Sequence, residues 1–240
     1  MGKWIGKVAI GLMLATGGAT ALPAQSSAVS NPARKFMTPD QARRGTNSKF
    51  YQEFDNRKLV DPLYTSEIHG QADVIAKCMV RRGGDKAASF LGGQLVGDPD
   101  YAHIGEALNG RLKRCTESDS VAPAIAISGA LAEELLAAKA PHFDDRAVGV
   151  TDEVARKFFG DLSGAVTIDS IAGCLAVYSP GLAYKVLQSD SGSEEEAAAL
   201  ERLYSQTPEC GLSKTPSEIP ALYQRGALAT ALYKWSEQSA

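Results

Sequence analysis

Histidine is scarce in this chain, with three residues in 240, and tryptophan is scarcer still with two. A serine or cysteine nucleophile therefore has few bases to activate it. The motifs that usually announce an enzyme are absent as well: there is no Gly-x-Ser-x-Gly, Ser-x-x-Lys, His-Glu-x-x-His, Gly-x-x-x-x-Gly-Lys or Gly-x-Gly-x-x-Gly. No Cys-x-x-Cys pair occurs, and His69, His103 and His142 are placed without relation to the cysteines, which excludes a zinc pattern. No run shows the alternation and β-branched richness of a strand. The expected class is all-α, and no cofactor is implied.

The N-terminus holds an uncharged apolar run behind a basic start. Lys3 and Lys7 precede or flank the stretch Val8 to Ala21, and Ala19-Thr20-Ala21 or Leu22-Pro23-Ala24 offers small residues for cleavage. Residues 1–24 read as a secretory signal peptide. A membrane anchor is the weaker reading, because the run falls short of the roughly 20 residues a span needs and Gly17-Gly18 interrupts it. No membrane span is expected after signal removal. Loss of Lys3 and Lys7 moves the formal charge from −3 to −5, so nucleic acid is a poor partner. Residues 25–48 form a basic leader and 49–71 a lead-in. Across 25–58, Arg34, Lys35, Arg43, Arg44, Lys49, Arg57 and Lys58 face Asp40, Glu53 and Asp55 in a Ser-, Asn- and Pro-rich context expected to be disordered.

Cysteine is sparse but ordered. Asp73-Val-Ile-Ala-Lys-Cys78 matches Asp169-Ser-Ile-Ala-Gly-Cys174, and Cys115 and Cys210 follow 37 and 36 residues later. Ala87 and Leu91 match Ala183 and Leu187 at an offset of 96; Gly97, Ala102, Glu106 and Leu108 match Gly192, Ala197, Glu201 and Leu203 at 95. Farther on, Ser120-x-x-Pro123-Ala124-x4-Gly129-Ala130-Leu131-Ala132-x-x-Leu135 returns as Ser217-x-x-Pro220-Ala221-x4-Gly226-Ala227-Leu228-Ala229-x-x-Leu232. These identities point to an internal duplication. The copies span 72–138 and 168–235, with a connecting segment at 139–167 and a tail at 236–240. An even number of cysteines in symmetric pairs suits an oxidising compartment, periplasmic or secreted. Three pairings are open to four cysteines; duplication favours Cys78 with Cys115 and Cys174 with Cys210.

Each copy resolves into four helical stretches, about eight in all. The first runs from Asp73 to Arg82 and from Ile168 to Tyr178, the second from Lys86 to Leu91 and from Leu182 to Leu187. The third opens at Gly97-Asp98-Pro99-Asp100 or Gly192-Ser193-Glu194-Glu195-Glu196, where a side-chain oxygen caps the turn and carboxylates meet the helix dipole. The fourth starts at Ser120 or Ser217 as N-cap, with Pro123 or Pro220 at N3 and an amphipathic stripe beyond it. Gly129 and Gly226 lie within that stripe and imply a close backbone crossing. Between the copies, Asp152 to Phe159 reads as a short helix.

Few candidate binding residues remain. Arg225, replacing Ser128, and the C-terminal Tyr223, Tyr233 and Trp235 read as exposed contacts or as filling between domains. His103, near Asp100 and Glu106, is a candidate base without a counterpart at Ala198. The reading is an exported protein with a structural or protein-contact role in a bacterial envelope. The alternatives are an enzyme whose site lies between the copies and a carrier of an apolar ligand.

Overall fold

The computed structural model describes residues 56–92, 101–116, 122–139, 141–160, 162 and 167–238. The expected signal segment and basic leader, and the caps expected at Asp98 and Ser120, lie outside the described residues. Among those described, eight α-helices and four short 3-10 segments follow one another with no strand. The helices are α1 Pro62–Gly83, α2 Tyr101–Asn109, α3 Ala124–Lys139, α4 Asp152–Phe159, α5 Ile168–Tyr178, α6 Pro180–Gln188, α7 Glu194–Ser205 and α8 Ala221–Gln238.

Local chemistry sets the helix ends. α1 starts at Pro62 rather than Asp73 because Asp61 Oδ1 accepts from Leu63 N–H at 3.0 Å and Pro62 occupies the first turn, where no donor is lost. The helix therefore takes in much of the expected lead-in, and its buried stripe of Thr65, Ile68, Ala72, Ile75, Ala76 and Met79 runs through that extension. α5 carries a reciprocal box in which Ser170 N–H donates to Thr167 Oγ1 at 3.1 Å and Thr167 N–H to Ser170 Oγ at 3.0 Å. α4 covers the expected Asp152–Phe159, with Thr151 as N-cap. Ser193 caps α7 through Glu196 N–H at 3.0 Å.

Three expectations are corrected. The second element of the first half is a 3-10 segment, Gly84–Phe90, whereas α6 is α-helical; Pro180 is preset for a first helical position, and Gly83-Gly84 is not. α3 and α8 begin at Ala124 and Ala221, after their prolines. The residue before proline is pushed out of helical geometry, so Pro220 is not N3; its carbonyl instead accepts from Tyr223 and Gln224 N–H. Finally, the two helices are not amphipathic over their first turns: Ala126–Ala132 and Leu222–Ala229 are buried on every side.

That burial follows from position. α3 and α8 lie against each other at the centre, α1 packs on the outside of α3, and α5 packs on the outside of α8. The central pair crosses at the two glycines, where a β-carbon added to Gly129 would stand 2.6 Å from Gly226 Cα. No side chain fits between backbones at that distance, which explains why glycine is held there against its helix cost. Gly129→Ala is expected to lower unfolding free energy by about 1–3 kcal/mol through overpacking. Gly70→Ala on exposed α1, with nothing within 4 Å of the added carbon, should instead stabilise by up to about 1 kcal/mol. Urea unfolding of both variants checks the pair; equal shifts would contradict the crossing.

Two disulfides staple the flanks. Cys78 in α1 bonds Cys115 in the 3-10 turn Lys113–Cys115, and Cys174 in α5 bonds Cys210 in the turn Pro208–Cys210. Both join the pairs favoured from the sequence, and no cysteine is left free.

Candidate functional site

The densest group of ionisable side chains gathers where α1, α3, α7 and α8 meet. Arg225 of α8 is 3% exposed and Glu196 of α7 is 1% exposed, so neither is the surface contact expected of Arg225. Burying a guanidinium is costly unless its donors are all engaged. Here they are. Nε and Nη2 donate to the two oxygens of Glu133 at 2.8 Å each, a bidentate pair across the α3–α8 crossing. Nη1 lies within 3.1 Å of Glu196 Oε1 and the carbonyls of Val186 and Ser189, and Nη2 also donates to the Leu187 carbonyl at 2.7 Å. Those carbonyls end α6, where a helix presents unpaired acceptors and negative dipole to a cation.

The carboxylates are held equally firmly. Glu196 Oε2 accepts from Gly192 N–H at 2.7 Å, in a turn where Gly192 has φ +79°. A side chain there would also collide with the Pro62 carbonyl, 2.4 Å from the added carbon. His69 of α1 lies 3.2 Å from Glu133 Oε1 through Nε2. A carboxylate oxygen can only accept, so Nε2 carries the hydrogen. Burial alone would push the Glu133 carboxyl up, but the His69 hydrogen bond and the Arg225 guanidinium outweigh it and hold the group below the ordinary carboxylate range. Burial opposes the charge on Arg225 too; Glu133 and Glu196 outweigh it, and its pKa is raised.

The sequence matching expected above sets Ser128 against Arg225. Ser128 Oγ accepts from Gly92 N–H at 3.0 Å, just beyond the segment Gly84–Phe90, while Arg225 binds the end of α6.

A second polar knot fixes the connecting segment. Arg146 Nη1 donates to Ser179 Oγ at 2.9 Å and to the Gln206 carbonyl at 2.7 Å, and the guanidinium pairs with Glu209. Ser179 and Thr207 hydroxyls meet at 2.7 Å, and Thr207 Oγ1 donates to the Leu203 carbonyl. The hydrogen bond from Arg146, opposed by partial burial, lowers the Glu209 carboxyl. Gly181 N–H donates to the Asp144 carbonyl at 2.9 Å, and Lys185 pairs with Asp145. Thus residues 144–146 are bound to the second half.

The remaining sequence candidates do not converge on this cluster. His142 is exposed, and the side chain of His103 lies outside the described residues. Glu194 and Glu195 are exposed in the first turn of α7. Tyr223 and Tyr233 are buried in the core, and Trp235 packs edge-on to Phe158 with ring centroids 5.2 Å apart. Among the described residues, no group of three or more His, Cys, Asp or Glu is arranged to hold a metal ion. No single helix among them is long and apolar enough to cross a membrane; the pair α5 and α6 passes only when taken together, bent by 111°. No family model, curated protein or solved structure matches this chain.

Proposed function

We propose that this is an exported protein, built by internal duplication, that serves as a non-catalytic contact scaffold in a bacterial envelope. The observation carrying this reading is the closure of the Arg225 cluster. Its guanidinium donors and both Glu133 oxygens bond to neighbouring protein groups. Buried charge that meets only other protein groups works as a lock. The interior between α3 and α8 supports the same reading: where an enzyme cleft or an apolar-ligand cavity would need space, Gly129 and Gly226 are in backbone contact and Tyr223 and Tyr233 are buried. Export is supported by two complete disulfides and by the charged, apolar and small-residue order of residues 1–24.

Expression of the full chain with a C-terminal tag, in a bacterium with a periplasm, tests this. The expected product leaves on osmotic shock, starts at Leu22 or Gln25 by intact mass, and lacks four thiol hydrogens. Retention of Met1 in the cytosol with free thiols would overturn export. Turnover of ester, phosphate or glycoside reporter substrates that disappears in a folded Glu133→Gln variant would overturn the non-catalytic part.

A further inference from the structure

The two halves present the same face very differently. In the second half it is covered by the chain itself: a β-carbon on Gly173 would meet Phe159 Cβ at 2.7 Å, one on Gly181 would meet the Asp144 backbone at 2.6 Å, and Val177 and Leu182 are buried. In the first half, the positions matching Val177, Tyr178 and Leu182 are Arg81, Arg82 and Lys86, all exposed. Beside them, Arg111, Lys113 and Arg114 stand where the second half has Gln206, Pro208 and Glu209, and these are exposed as well.

The fold brings these six cations together. The Cys78–Cys115 bridge sets the two Cα atoms 5.4 Å apart, which puts Arg114 beside the last turn of α1 and its Arg81 and Arg82. One helical turn rises only about 5.4 Å, so the guanidinium groups share one neighbourhood. Arg111 lies over the Phe90 ring at 4.4 Å, tying the turn to the segment Gly84–Phe90 that bears Lys86. Among the described residues none of the six is ion-paired; Lys77 nearby is taken by Asp73 at 2.7 Å. Asp85 lies beside Lys86 in the segment Gly84–Phe90, α1 also carries Glu67 and the Asp73 that pairs with Lys77, Glu106 lies on α2, and Asp98, Asp100, Glu117 and Asp119 stand in flanking segments outside the described residues.

We infer that this cationic face of the first half is a docking surface for an acidic polypeptide segment of a partner protein. A polypeptide is favoured over a lipid surface because the matching face of the second half already seats one, residues 144–159, through main-chain contacts and an aromatic side chain. Acidic character follows from the exchange of Val177, Tyr178 and Leu182 for three cations. The chain's own leader is a poor occupant, since its charge has the same sign. This assigns a partner chemistry within the contact role proposed above and rests on that reading.

The test uses the mature full-length chain and a labelled glutamate-rich peptide, read by fluorescence anisotropy at low and moderate salt. Binding is expected to weaken with salt, and to weaken about tenfold in the Arg81→Gln, Arg114→Gln double variant, as two lost surface pairings imply. The Arg156→Gln, Lys157→Gln variant on α4 should bind as the parent does, and circular dichroism should show both variants folded. Peptide binding unchanged by the double variant would overturn the inference. So would equal binding to phosphatidylglycerol vesicles or to polyphosphate, since the face would then read charge alone. Failure here with export intact removes the acidic partner without touching the envelope assignment.

Discussion

Arg225→Met is expected to cost about 3–5 kcal/mol of unfolding free energy, more than any other single substitution considered for this chain. The loss comes from the carboxylates left behind. Glu196 at 1% exposure and Glu133 at 15% would face each other across an apolar side chain, and three carbonyls at the end of α6 would lose their donor. Glu133→Gln should cost less, because Arg225 keeps Glu196 and the carbonyls. The lock is also pH-dependent. The folded carboxyl of Glu133 is depressed, so its contribution is complete above the ordinary carboxylate range and is lost as pH falls through the lowered value. Chemical denaturation from neutral pH down to about pH 3 should show an acid loss in the parent chain that is smaller in Arg225→Met. An Arg225→Met chain as stable as the parent, with the same acid profile, would contradict the lock.

Removal of either disulfide comes next in size. Each closes a loop of similar length, with sequence separations of 37 and 36, and the loop-entropy relation gives about 4 kcal/mol for each. Cys78→Ala with Cys115→Ala, and Cys174→Ala with Cys210→Ala, should therefore destabilise by nearly equal amounts in urea unfolding without reductant. Treatment of the parent chain with dithiothreitol should approach the sum. A shift below about 1 kcal/mol for either pair would show that the unfolded chain gains little freedom when that staple is cut.

Much of this architecture was legible in the residues. The cysteine pairing followed from matched spacing, the bounds of α4 and α5 from their residue patterns, and the close approach at Gly129 and Gly226 from glycine held inside an Ala- and Leu-rich run. What that run could not reveal was the identity of the crossing backbone, which is the other glycine. The start of α1 is legible in Asp61-Pro62, the same cap pattern as Asp98-Pro99, but not in the residues that match the second half, which begin only at Asp73. Arg225 was the larger miss. A lone arginine between Gln224 and Gly226 reads as a surface residue, but the residues on both sides of it are buried, and a cation in such a run must bring partners. Glu133, at the matching depth of α3, was the available signal. Glu196 stands in the sequence as one of three dipole-compensating glutamates, because a helical pattern does not distinguish the carboxylate that turns inward.

The most direct test of the central claim, that buried charge locks the two central helices together, is a double-mutant cycle on Glu133 and Arg225. Unfolding free energies would be measured for Glu133→Gln, Arg225→Met and the two combined. The lock predicts a coupling of about 2 kcal/mol or more, with the double variant less damaged than the sum of the singles. Effects that add to within about 0.5 kcal/mol would mean that the pair touches without holding anything, and the closed-cluster account would fall with it.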